Sequence, residues 1–98
     1  MKRSFSFHYM AERELNEAAG YYNDQSPGLG NAFLEEVEST INQILEYPES
    51  APLINRIVRK RLVRRFPYSV MYSVSFNHIR ILAIASQKRR PFYWDNRM

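Results

Sequence analysis

The spacing of apolar residues changes period twice along the chain, and those two changes constrain the fold more than any other feature. Residues 4–9 alternate strictly, Phe5, Phe7 and Tyr9 against Ser4, Ser6 and His8, which is the period-2 pattern of a half-buried strand. From Met10 the period becomes helical: Ala11, Leu15, Ala18, Ala19 and Tyr22 form a stripe. Glu12 and Glu14 stand in the first turn, where the helix dipole favours acids. This predicts a helix ending near Asn23. Ser26-Pro27-Gly28-Leu29-Gly30 then breaks the chain with a ring-locked residue and two permissive glycines. A second helix is predicted from about Asn31 to Glu46, with Phe33, Leu34, Val37, Ile41, Ile44 and Leu45 as its stripe and Pro48 and Pro52 beyond its end.

The second change of period follows. Arg56 to Phe66 interleaves Ile57, Val58, Leu62, Val63 and Phe66 with cations, and its alternation slips once, as at a bulge or bend. After Pro67, Tyr68 to Phe76 places Val70, Tyr72 and Val74 on one face and Ser69, Met71 and Ser73 on the other. Asn77-His78 suits a tight turn. Ile79, Ile81, Ala83 and Ala85 then alternate with Arg80, Leu82, Ile84 and Ser86, apolar on both faces as in an interior strand. The order strand, helix, helix, strand, strand, strand predicts an α+β fold: an N-terminal strand and a helical hairpin packed on an antiparallel sheet of about four strands. With 98 residues, 45% of them hydrophobic, the chain suits one domain over residues 1–98 with one modest core.

Several classes of function fall away on composition. There is no cysteine, so a disulfide framework is excluded and a reducing cytoplasm is the expected setting. Lys2 and Arg3 are not followed by the apolar run of a signal peptide, and no stretch approaches the roughly 20 apolar residues that span a bilayer. Phosphate-loop, zinc-protease and hydrolase signatures are absent, so no cofactor is expected. His8 and His78 lie too far apart in the sequence to suggest a metal site and read as polar surface. The helix acids, placed opposite the apolar stripes, read as solvated.

Charge is the more informative quantity. Residues 1–49 hold three cations against nine acids, a balance of −6; residues 50–98 hold eleven cations against Asp95 alone, a balance of +10. Six of those cations fall within Arg56 to Arg65. They repel one another, and exposed ion pairs with the helix acids would contribute only about 0–1 kcal/mol each. An anionic partner is therefore expected, with Arg59, Arg61, Arg65 and Arg80 among its contacts. The tail joins Lys88, Arg89 and Arg90 to Phe92, Tyr93 and Trp94. That mixture suits phosphate contact and base stacking, or equally a chain end pinned to the core. Trp94 reads as packing; Arg89 and Arg90 read as binding residues.

Five segments stand out by their order and spacing: Ala18-Ala19-x-Tyr21-Tyr22, Pro27-Gly28-Leu29-Gly30, Phe33 with Glu36-Val37-Glu38, Arg64-Arg65-Phe66-Pro67-Tyr68-Ser69-Val70, and Arg89-x-Pro91-x-Tyr93-Trp94. Together they resemble the RelE/ParE family of bacterial toxin–antitoxin toxins, to which plasmid stabilisation proteins are similar. The resemblance implies a toxin that inhibits growth when free of an acidic antitoxin encoded next door, the complex commonly binding operator DNA. RelE-like members cut mRNA on the ribosome, and ParE-like members poison DNA gyrase. A nuclease would need a base, phosphorane-stabilising cations and a proton donor, for which Lys60, Arg64, Lys88 and Tyr93 are the candidates. Three departures count against it: Ser69 where such nucleases usually carry arginine, Leu62 at a usual lysine position, and Ser86 near a frequent histidine. The ParE-like reading is therefore preferred, with the nuclease and a non-toxic, antitoxin-binding co-repressor as alternatives.

Overall fold

The computed structural model describes residues 3–97 of the chain, so Lys2 of the N-terminal basic pair lies outside them. The elements come in the predicted order: β1 (Ser4–Phe7), α1 (Tyr9–Gln25), α2 (Leu29–Glu46), β2 (Val58–Leu62), β3 (Tyr68–Ser75) and β4 (His78–Ser86), with a short 3-10 turn at Asp95–Arg97. Among the described residues no helix is long and apolar enough to cross a membrane.

The sheet order is β1-β4-β3-β2. β2, β3 and β4 form the expected antiparallel meander, but β1 joins β4 in parallel, Ser4 opposite His78 and Phe7 opposite Ile81, so the sheet is mixed. The helical hairpin is the reason. It carries the chain from β1 to the far edge of the sheet, and the meander returns β4 alongside β1 in the same direction, a pairing only a long crossover permits. Tyr9, expected in the strand, is instead the first residue of α1. His8 ends the alternation by capping that helix, its Nδ1 accepting the Met10 N–H at 3.1 Å.

The hairpin packs tightly because of two glycines. Gly28 precedes α2 at φ 88°, and a Cβ on Gly30 would collide with the Ala19 carbonyl oxygen. The Gly30 N–H donates to Asn23 Oδ1 at 2.7 Å across the same contact. Both helices lie on one face of the sheet. There Phe33, Val37, Ile41 and Ile44 meet Val70, Tyr72, Ile79, Ile81 and Ile84. An aromatic cluster ties the helices to the β2–β3 turn: Phe33 lies 5.2 Å from Phe66 and 5.0 Å from Tyr68, ring centre to ring centre, and Tyr22 lies 5.0 Å from Phe66.

The basic strand is shorter than its alternation suggests. Asn55 Oδ1 accepts the N–H groups of Ile57 and Val58, holding residues before Val58 in a turn. Pro52 and Ile54 bond to Lys60 and Val58 along the outer edge of β2. The register slip lies elsewhere. Met71 pairs with Ala83 and Tyr72 with Ile81, which leaves Leu82 as an extra residue in β4. The strand's faces are thereby reassigned: Ile79, Ile81 and Ile84 face the helices, while Leu82, Ala83 and Ala85 face the opposite side with Val58, Met71 and Trp94.

Candidate functional site

Alternation along β2 sends its cations to two different environments. Arg59 and Arg61 share a face with Tyr72 and Val70, towards the helices. Arg59 donates to the carbonyls of Glu49 and Ala51, and Arg61 to Gln43 Oε1 and Ser50 Oγ, in the last turn of α2 and just past it. Their partners are neutral groups rather than helix carboxylates, and cations are favourable beside a helix C-terminus. Lys60, between them, pairs with Met71 on the opposite face. Arg80 is on that face too, but at its β1 end, donating to Ser6 Oγ and the Phe7 carbonyl. His78 stitches the same edge, its ring nitrogens 2.7 and 2.9 Å from the hydroxyls of Ser4 and Ser6.

The C-terminal segment crosses this second face and is latched to α1 by one carboxylate. Glu14 accepts from Arg97 at 2.9 and 3.0 Å, from the Tyr93 hydroxyl at 2.7 Å and from the Ile84 N–H at 3.1 Å. Its side chain is 11% exposed and that of Arg97 7%. Glu14 is thus the exception to the expectation of solvated helix acids. It lies three residues after Ala11 and four before Ala18, inside the apolar stripe, and that spacing was the available signal for it. Arg97 had none beyond its charge. Burial pushes the Tyr93 phenol well above its usual pKa, and the hydrogen bond to Glu14 adds to the shift. The Arg89 guanidinium sits 3.8 Å over the Tyr93 ring.

Beneath the segment is a cavity of about 240 Å³. Its floor is Ser69, Met71 and Ala85, its wall is Phe92, Tyr93 and Trp94, and Lys60, Arg89 and Arg90 supply three cations with no acid in the lining. Trp94 is 2% exposed and belongs to the packing on this side of the sheet. Of the residues proposed for nuclease chemistry, the fold brings Lys60 and Tyr93 together here. Arg64 and Lys88 are exposed in the turns before β3 and after β4, outside this lining. Arg65, at φ 71° in the first of those turns, approaches Glu36 at 3.8 Å and stands over Phe66. Lys60, Arg64, Lys88 and Arg90 have no side-chain hydrogen bond or ion pair among the described residues. Among those residues no group of three or more histidines and acids could hold a metal ion.

The model of the family described as the ParE toxin of the type II toxin–antitoxin system parDE matches residues 5–91. No curated protein matches at a significant level. Among solved structures, a chain of the chromosomal ParDE toxin–antitoxin system from P. aeruginosa superposes with a TM-score of 0.76 at 18% identity, over 87% of this chain and 96% of that one. At that identity the likeness is one of fold, and it agrees with the strand, hairpin and mixed sheet described above. The family match spans β1 through β4 and most of the basic segment after them, and by it this chain belongs to the ParE toxin family of type II toxin–antitoxin systems.

Proposed function

We propose that the chain is a toxin which, when free of an acidic antitoxin, inhibits growth by a ParE-like action on DNA gyrase rather than by cutting RNA. The observation that carries this reading is the 2.7 Å hydrogen bond from the Tyr93 hydroxyl to Glu14. A nuclease would need that hydroxyl to release its proton to a leaving oxygen, yet the carboxylate holds the proton and burial raises its pKa. Arg64 and Lys88, the companions such chemistry would require, stand outside the cavity. The antitoxin reading rests on the uncommitted cations Lys60, Arg64, Lys88 and Arg90, which need a counter-charge from outside the chain.

The test is induction of the chain without antitoxin, with plasmid supercoiling and mRNA ends followed together. Altered supercoiling with intact messages supports the gyrase reading. Codon-phased mRNA cleavage with normal supercoiling would overturn it in favour of the RelE-like nuclease. Unimpaired growth would overturn toxicity itself and leave an antitoxin-binding co-repressor.

A further inference from the structure

We propose that the cavity under the C-terminal segment is a binding site for a nucleoside phosphate, recognised without cleavage. Three observations converge on that chemistry. The first is charge: Lys60, Arg89 and Arg90 line the cavity with no acid among its walls, and Lys60 and Arg90 have no partner among the described residues. A phosphate accepts strong, charge-assisted hydrogen bonds from such groups.

The second is an unpaired hydroxyl on the floor. Ser69 is 2% exposed and its side chain has no hydrogen-bond partner among the described residues; the little surface it retains belongs to the cavity lining. Ser86 and Gln87 add polar groups to the same lining. A purely apolar ligand, such as an aliphatic side chain, would leave the Ser69 hydroxyl buried and unsatisfied, at a cost. A nucleobase carries donors and acceptors around an apolar ring and satisfies both kinds of wall.

The third is Phe92. It has φ 61°, a backbone region that bulky side chains rarely adopt, and the residue is 49% exposed at the cavity wall. Strain of this kind persists where the surroundings hold it, often at ligand sites. Here it presents an aromatic face on which a base can stack. The volume, about 240 Å³, lies just under the roughly 300 Å³ at which ligand pockets begin, so the cavity takes one base with its phosphate rather than a longer strand.

Trp94, the single tryptophan, lines the cavity and reports on it. Adenosine 5′-monophosphate titrated into the purified chain is expected to quench Trp94 fluorescence saturably, with adenosine and inorganic phosphate each at least about tenfold weaker. Arg90→Glu, an exposed change that breaks no hydrogen bond or ion pair among the described residues, is expected to weaken binding at least about tenfold while far-UV circular dichroism is unchanged. Ser69→Ala is expected to reduce discrimination among the four bases. A 5′-phosphorylated short oligoribonucleotide separates the sources: equal affinity to the mononucleotide points to a free nucleotide, and tighter binding lost on removal of the terminal phosphate points to a strand end.

Absence of saturable quenching, or quenching unaffected by Arg90→Glu, would overturn the proposal. So would saturable binding of an acidic peptide where all nucleotides fail, which would make the cavity a peptide site. None of these results depends on gyrase or on growth, so the cavity and the toxin reading fail or stand separately.

Discussion

On its helix side the sheet presents Val70, Tyr72, Ile79, Ile81 and Ile84 to two helices, and the space between is filled by Phe33, Phe66 and their neighbours. The buried Tyr72 hydroxyl there is paired, donating to the Pro48 carbonyl at 2.7 Å. On its other side the same strands present Met71, Ala83 and Ala85 to a single crossing segment, which seals one part with Trp94 and leaves a cavity beside it. The first side has interdigitating aromatics and few polar groups. The second has small residues, with cations and a hydroxyl that have no hydrogen-bond or ion-pair partner among the described residues. The contrast teaches that stability and recognition are divided between the two faces of one thin sheet, and each face can be perturbed with the other as control.

The largest expected effect is on the helix side. Phe33→Ala removes the ring that touches Tyr22, Phe66 and Tyr68, and should cost about 3–5 kcal/mol in urea unfolding. A loss below about 1 kcal/mol would mean that this side is not the stabilising one. Next comes Glu14→Ala, which leaves the buried Arg97 without its carboxylate. It should cost about 3 kcal/mol and make Trp94 accessible to a fluorescence quencher. If stability falls but Trp94 stays protected, the crossing segment is held by its aromatics and not by the latch.

A smaller effect separates the sides by pH. Burial, and then the charges of Arg97 and Arg80, lower the His8 pKa from 6.5. As pH falls through 6.5 the unfolded chain takes up that proton before the folded one, so the contribution is complete above this value and declines below it. Protonation also removes the lone pair that caps α1. The melting temperature should therefore drop between about pH 7.5 and about pH 5.5, and drop less in His8→Asn, which keeps a cap without titrating there. Equal slopes would remove His8 from the account. Smallest of all is Arg90→Ala, expected to change stability by less than about 0.5 kcal/mol. A larger loss would show that the cations of the cavity contribute to folding.

The same division explains what could be read from the residues alone. Tyr22, Phe33, Phe66 and Tyr68 stand in three of the five segments that carried the family resemblance, and they form the aromatic cluster on the helix side. Sequence patterns record packing well because packing is periodic. The parallel placement of β1 was hidden, since alternation in Ser4–Phe7 gives a strand's faces but not its neighbour. The bulge at Leu82 was hidden because β4 is apolar on both sides, and a shift of one residue exchanges one apolar face for another. The cavity floor depended on the bulge, which puts Ala85 on the same face as Ser69 and Met71. Lys60 could be placed on it by counting along β2, whereas Arg97 reaches Glu14 across 83 positions, a proximity no local pattern records.

That long reach also bears on the order in which the two faces form. β1 cannot pair until β4 has been made, and the Glu14 latch needs Arg97, 83 positions further along the chain. Contacts this distant in the chain slow folding, because the loops they close must be ordered before any contact rewards them. A nascent chain that has not yet reached Arg97 can form the helical hairpin but cannot fasten the segment that walls the cavity through Glu14. The assembled second face therefore forms after the helical hairpin and not with it.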